Sequence, residues 1–366
     1  MRRIPLSLAL AASVLAVPAL PAQQQPESRF DEKLTVSEVL LDVLVTDRQG
    51  NVIIGLQPDD FVVREDGEPV ELAQVTFYSN RRLLDAPSTL GEGAGDVDVT
   101  PASRYFVLFF QEQQQVNADN PELRLLQRQL EAAREAREWV ERERLLDDWV
   151  AVVSYDFKLK VHQDFTRDEA VLEKAITGAT TGKDPGANWP SRIPEAEGPS
   201  LRAGLPSGKD LEKETRTIYE GIGALADAAG KVVGRKNLVL FSTGFGEVGG
   251  FGLYKPDPRY YPDMVRALND NNVAVYAVDL MPTHVVDHTF ASGLHQLTDE
   301  TGGQYYFNVV NFITPLKQVA SENSGYYLLS YRSTHPAGET GYQKVKVATR
   351  NPEFQVRARE GYLFGG

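Results

Sequence analysis

The sequence predicts an α/β protein: a Rossmann-like doubly wound sheet inserted into, or flanked by, a small Ig-like β-sandwich built from N- and C-terminal strands. Three observations predict it. Between residues 103 and 323, apolar runs of strand length alternate with segments of helical period. Residues 30–82 and 324–364 carry strand-type runs broken by turn residues, with no helical period. The four strands before the central unit and the three after it add to about the seven of a sandwich, and neither set alone buries a closed core.

Residues 1–22 read as a secretory leader. Arg2 and Arg3 precede an apolar run from Ile4 to Val17, and Val17-Pro18-Ala19 and Leu20-Pro21-Ala22 offer small-residue cleavage sites. The run is short for a membrane span, and no later segment reaches the roughly 18 consecutive apolar residues one needs. The first flank then reads as Val36 to Val45, a turn at Asp47–Asn51, Val52-Ile53-Ile54, Phe61-Val62-Val63, a turn at Glu65–Pro69, and Val70 to Tyr78. Residues 83–102 are a Gly, Asp, Pro and Ser linker.

In the central unit, Tyr105–Phe110 and Trp149–Tyr155 are unbroken apolar runs, the mark of parallel strands buried on both faces. Between them a helix entered at Pro121 shows Leu126, Leu130, Ala133, Ala136 and Val140 at helical spacing. Lys158–Phe165 reads as an antiparallel neighbour of the second strand, and 168–177 as a short helix. Residues 178–209 form an insertion of little periodicity. A helix capped by Asp210 runs through Ile218, Ile222, Leu225 and Ala229 to Gly230. Strands at Asn237–Phe241, Val273–Val278 and Tyr305–Phe307 alternate with helices at 262–270, 289–300 and 311–321. The second flank reads as strands at Tyr326–Tyr331, Tyr342–Thr349 and Phe354–Arg359.

The composition narrows function. Of 366 residues none is cysteine, which removes disulfides, thiolate metal sites and thiol catalysis. Hydrophobic residues at 42% and charged ones at 24% are those of a globular protein. Lys plus Arg number 38 against 51 Asp plus Glu, and loss of Arg2 and Arg3 with the leader takes the formal charge from −13 to about −15. Nucleic acid and anionic lipid both require a basic footprint, so neither is expected as a partner. An exported protein, periplasmic or secreted, follows from the leader.

An ordered series of segments resembles the von Willebrand factor A-related proteins of acidobacteria. It comprises Val43–Asp47 with Gly50, Asp59-Asp60-Phe61 with Glu65-Asp66-Gly67, Tyr105–Phe110, Asp164–Asp168 and Lys236–Gly244. Val273–Asp279, Tyr326–Leu329 and Arg357–Tyr362 complete it. The resemblance implies a metal-ion-dependent adhesion site at the C-terminal edge of the sheet. Its parts are an Asp-x-Ser-x-Ser after the first strand, a Thr from a second loop and an Asp after the fourth strand. Here the first slot holds Gln111-Glu112-Gln113-Gln114-Gln115, the Thr slot is matched by Thr166, and the Asp slot holds Thr243. Mg²⁺ favours anionic oxygen ligands, and amide and hydroxyl dipoles do not readily offset its dehydration. No metal and no other cofactor are therefore expected, with Glu112 or Asp168 as the acids that would stand in if one bound.

The expectation is a non-enzymatic protein-interaction or adhesion module with a degenerate site at Gln111, Gln113, Gln115, Thr166 and Thr243, taking a protein partner. The Gly244–Tyr261 loop extends that surface or packs down through its tyrosines. The alternatives are a metal-dependent hydrolase using the His284/His288 loop, and an inert structural envelope component. For the first, His284 and His288 imitate ligand spacing but lack the general-base Glu, so exposed loop histidines are the simpler reading. Gly178–Lys183 and Gly223–Lys231 lack Walker spacing, and no Gly-x-Ser-x-Gly elbow is present.

Overall fold

A computed structural model describes residues 38–79, 99–101, 103–111, 121–181, 198–248, 254–283, 288, 290–333 and 340–364. The leader at 1–22 lies outside the described residues. So does most of the linker, as do Glu112 to Gln115, His284 and part of the insertion.

The central unit is doubly wound. Its strands are β6 (Tyr105–Gln111), β7 (Trp149–Tyr155), β8 (Leu159–Thr166), β9 (Lys236–Ser242), β12 (Val273–Asp279) and β13 (Gln304–Tyr306), in the spatial order β13-β12-β9-β6-β7-β8. All pairs are parallel except β7 with β8. In order of appearance this is 3-2-1-4-5-6 with the third strand reversed, which confirms the α/β class and the antiparallel neighbour expected at 158–165. Alternation along β6 explains why its run is unbroken. Phe106, Leu108 and Phe110 enter one apolar layer while Val107 and Phe109 enter the other.

Three helices cover the first layer: α1 (Pro121–Arg142), α2 (Glu169–Thr181) and α7 (Ile313–Glu322). Between α2 and α7, three more cover the second: α4 (Ile218–Ala229), α5 (Tyr261–Asp270) and α6 (Ala291–Thr301). Two readings of these helices are corrected. In α1 the buried face is Leu125, Ala132, Ala133, Ala136, Trp139 and Val140, while Leu126 and Leu130 are about half exposed. The helix expected from Asp210 is two: α3 (Lys209–Glu214) ends at Thr215, and α4 restarts under a capping box. There Thr217 Oγ1 accepts from Glu220 N, and Glu220 Oε2 accepts from Thr217 N at 2.9 Å. α6 stops at Gly302, which takes a left-handed φ of 71°. The described end of the insertion is packed: Leu201 and Leu205 are buried, and Asp164 of β8 accepts from Ser200 Oγ, Leu201 N and Arg202 N.

The flanks form two further sheets. One has the order β16-β1-β14-β4-β5, from β1 (Glu38–Thr46), β4 (Leu72–Ser79), β5 (Val99–Pro101), β14 (Gly325–Arg332) and β16 (Gln355–Arg357). The other has the order β17-β15-β2-β3, from β2 (Phe61–Glu65), β3 (Glu68–Val70), β15 (Gly341–Thr349) and β17 (Gly361–Phe364). Strands from both ends of the chain therefore pair directly: β14 lies between β1 and β4, and β15 lies beside β2. Leu41, Val43, Phe77, Tyr327, Leu329 and Tyr331 of the first sheet share one apolar core with Phe61, Val63, Val345 and Tyr362 of the second. Tyr327 adds a tether, its hydroxyl donating to Ile53 O at 3.0 Å and accepting from Leu56 N at 3.1 Å. Asp66 and Gly67, both at positive φ, make the tight Asp-Gly turn joining β2 and β3. Val52-Ile53-Ile54 is not a strand; it makes only a single bridge, Val52 to Thr46. Residues 99–101, assigned to the linker, pair with β4.

Candidate functional site

The chain runs from β6 through α1 to β7 on one side, and later places β9 on the other side of β6. The C-terminal ends of β6 and β9 thus flank the point where strand order reverses, the place where open α/β sheets form a crevice. Gln111 ends β6 and Ser242 ends β9, and the Ser242 hydroxyl donates to Gln111 Oε1. Ser242 Oγ also accepts from Gly244 N at 2.7 Å. Gly244 has a φ of 89°, and a Cβ there would fall 2.4 Å from Phe290 Cβ, so glycine is required. Gln111, Ser242 and Thr243 are all buried. Gln111 and Thr243 accordingly brace the crevice, and direct partner contact through them, as expected from the sequence, does not fit their burial.

Thr166 is corrected in place. β8 runs back along the sheet, so Leu159 pairs with Tyr155 at the C-terminal edge and Thr166 pairs with Val150 near the opposite edge. Five residues of strand separate the two ends, about 16 Å at 3.3 Å per residue. Thr166 Oγ1 accepts from Asp168 N at 3.1 Å, and Asp168 Oδ1 accepts from Val171 N in the first turn of α2. Thr166 and Asp168 thus shape a helix entry remote from Gln111. Gln113 and Gln115 lie outside the described residues.

The loop after β9 packs down over its first part. Phe245 and Tyr261 are buried and meet Tyr219 edge-on, with ring centroids 5.1 and 6.3 Å from it. Tyr260 stacks on the same ring at 6.4 Å. Glu247–Val248 and Tyr254–Lys255, here β10 and β11, pair as a short antiparallel ribbon.

The next strand brings a carboxylate that the motif reading gave no role. Asp279 ends β12 opposite Ser242 and is buried. It accepts from Met281 N at 2.8 Å, from the Tyr305 hydroxyl at 2.6 Å, and from His288, whose Nε2 lies 2.8 Å away. The His288 side chain is only 8% exposed, against the expectation of an exposed loop histidine. His295 is exposed and sits 2.6 Å from Asp299. Arg128 of α1 reaches under the same loops, donating to Val309 O at 2.6 Å and to Met281 O at 3.3 Å, with its guanidinium 4.4 Å over the Phe312 ring. Burial pulls the Arg128 pKa below its ordinary value, against Glu131, Asp279 and Glu135.

Among the described residues the donor set does not fit a resident Mg²⁺. The Gln111 oxygen is taken by Ser242, Thr243 is sealed, and the neighbouring acid already serves three donors. Among the described residues, no group of three or more His, Asp or Glu side chains could hold a metal ion. Nor is any helix of the described residues long and apolar enough to cross a membrane. Among the described residues two large aromatics are exposed at this edge, Phe307 just after β13 and Phe157 at the other end of the sheet. Phe157, at the tip of the β7–β8 hairpin, is 86% exposed and has a left-handed φ of 68°.

No family model matches the chain, and no curated protein matches it. Several solved structures resemble it. Proximal thread matrix protein 1 from the mussel byssus is 13% identical over 60% of this chain, with a TM-score of 0.34, and the match spans 46% of that protein. An aerotolerance-related membrane protein from Bacteroides fragilis is 11% identical, covering 60% of this chain and 98% of that one, with a TM-score of 0.36. A von Willebrand factor type A protein from Catenulispora acidiphila is 8% identical, covering 72% and 67%, also with a TM-score of 0.36. Scores this low carry no argument of their own, and the α/β class rests on the strand order above.

Proposed function

We propose that the chain is an exported, non-enzymatic protein-interaction module of the von Willebrand A type, which engages its partner at the C-terminal sheet edge without a divalent ion. One contrast at that edge carries the reading. The crevice between β6 and β9 is closed by the neutral Ser242–Gln111 bond, while Phe157 on the same edge is held outward in a strained conformation. An aromatic side chain that could turn away but is presented to solvent has the character of an interface anchor. Gln111 and Ser242 supply no charge for a metal-bridged carboxylate and the adjacent Asp279 is taken by three donors, so recognition rests on shape and apolar contact. Export is supported by the leader pattern at 1–22.

The test is affinity capture of the native partner by the purified chain, with and without EDTA. Phe157→Ala should lower recovery at least tenfold and EDTA should leave it unchanged. Equal recovery by the variant, or loss with EDTA, contradicts the proposal.

A further inference from the structure

A cleft of about 990 Å³ opens between the central unit and the sheet β17-β15-β2-β3, and its lining residue Tyr305 reaches Asp279 at the C-terminal edge with its hydroxyl. One wall carries Arg64, Lys344 and Lys346, all exposed. Lys346 of β15 is the register partner of Arg64 of β2, and Lys344 lies two residues along on the same face. Like charges directly across a strand pair destabilise it. No carboxylate among the described residues makes an ion pair with any of the three, in a chain whose formal charge is −13. Arg64 spends one donor on Gly67 O at 3.0 Å.

The facing wall is aromatic. His295, Tyr305 and Phe307 form a ledge with ring centroids 6.2 and 5.7 Å apart, and Phe307 is 57% exposed. Asp299, held by His295, and Glu360 lie on this side or at the floor, while Asp66 lies on the cationic wall, where its Oδ1 accepts from Lys344 N at 3.1 Å.

Two strand edges border the same space. β13 ends the six-stranded sheet. On β15, pairing with β17 stops at Lys344, and Val345 N turns to that side to donate to Glu360 O at 2.8 Å. By the two-residue period the N–H and C=O of Val347, a lining residue, point the same way.

We infer that this cleft receives an extended segment of a partner protein in which acidic residues alternate with apolar ones. The backbone edge at Val347 selects an extended polypeptide, because an added strand satisfies main-chain groups in register. The Lys344, Lys346 and Arg64 wall selects acids on one face of that strand and relieves the repulsion of the Lys346–Arg64 pair. The ledge of Tyr305 and Phe307 takes the apolar face. Charge complementarity fixes the choice: a basic segment would meet three cations, none in an ion pair, with Asp66 as the acid on their wall.

The test is fluorescence anisotropy of the full chain with a labelled peptide of four Glu-Val repeats, a peptide of four Lys-Val repeats, and inorganic polyphosphate as a competitor. The Glu-Val peptide should bind saturably and weaken as salt rises. The Lys344→Gln/Lys346→Gln double variant should bind it at least tenfold more weakly. Phe307→Ala should weaken it too, and Phe157→Gly should leave it unchanged, which separates this cleft from the sheet edge. Without ligand, Lys346→Gln should raise the thermal midpoint by relieving the cross-strand pair. Equal binding of the Lys-Val peptide, no binding of the Glu-Val peptide to millimolar concentration, or wild-type binding by the double variant overturns the inference. So does polyphosphate binding in place of the peptide, or a midpoint that does not rise.

Discussion

Phe157 makes a prediction with opposite signs for stability and binding. A residue with a Cβ held in the left-handed region costs roughly 1–2 kcal/mol, which Phe157→Gly removes. Glycine loses more freedom on folding, which takes back about 0.5–1 kcal/mol. The ring is 86% exposed, so its deletion removes little buried area. The net is a gain in stability of up to roughly 1.5 kcal/mol. Binding moves the other way, since burying a phenylalanine at an interface contributes about 1.5–3 kcal/mol, a loss of about ten- to a hundredfold. Phe157→Ala separates the two effects: it keeps the Cβ and the strain, so stability stays near the parent's while binding falls. The assays are urea unfolding followed by tryptophan fluorescence and partner capture on the same preparations. A glycine variant no more stable than the alanine one refutes the strain argument. Undiminished capture by both refutes the anchor.

Four further outcomes follow from the structure. Asp279→Ala leaves the Tyr305 hydroxyl, His288 Nε2 and Met281 N without their acceptor and should cost about 3 kcal/mol or more in urea unfolding, while Asp279→Asn should cost markedly less. Thr217→Ala removes the cap of α4 and should cost about 1 kcal/mol by the same measurement. Tyr327→Phe strips the tether to Ile53 and Leu56 and should cost roughly 1–3 kcal/mol. All three tryptophans, Trp139, Trp149 and Trp189, fall within residues 103–323 of the sequence, so a fluorescence shift would show that the flanks unfold with the central unit. Burial pulls the Lys236 pKa down to about 8, with Asp42 opposing. The folded chain then loses this proton before the unfolded one, so stability rises with pH between about 8 and 10, by at most about 1.4 kcal/mol per pH unit. Lys236→Met should abolish that rise in pH-dependent unfolding.

The parallel strands were legible because strands buried on both faces leave an unbroken apolar run, as Tyr105–Phe110 does. The phase of α1 was not, because Leu126 and Leu130 are large apolar residues on a half-exposed face, while alanines that carry little pattern fill the buried one. Thr166 shows the cost of reading a motif apart from its strand. The antiparallel direction of β8 was expected, and it already places the end of that strand at the edge away from Gln111. Asp279 stood at the end of a quoted strand, but its partners come from positions 288 and 305, a meeting that only the tertiary fold brings about. The same holds for Lys346 opposite Arg64, 282 positions apart in sequence and register partners in the sheet. The burial of Gln111 was equally invisible, because an amide at a strand end reads as polar surface until its hydroxyl partner on β9 is located.

The most direct test of the edge as a metal-independent contact surface is photo-crosslinking from p-benzoylphenylalanine placed at position 157, in the native host cells, with and without EDTA. A crosslinked protein partner whose yield is the same in both conditions is the predicted result. No crosslink from this position, or one that disappears when divalent ions are removed, would contradict the account.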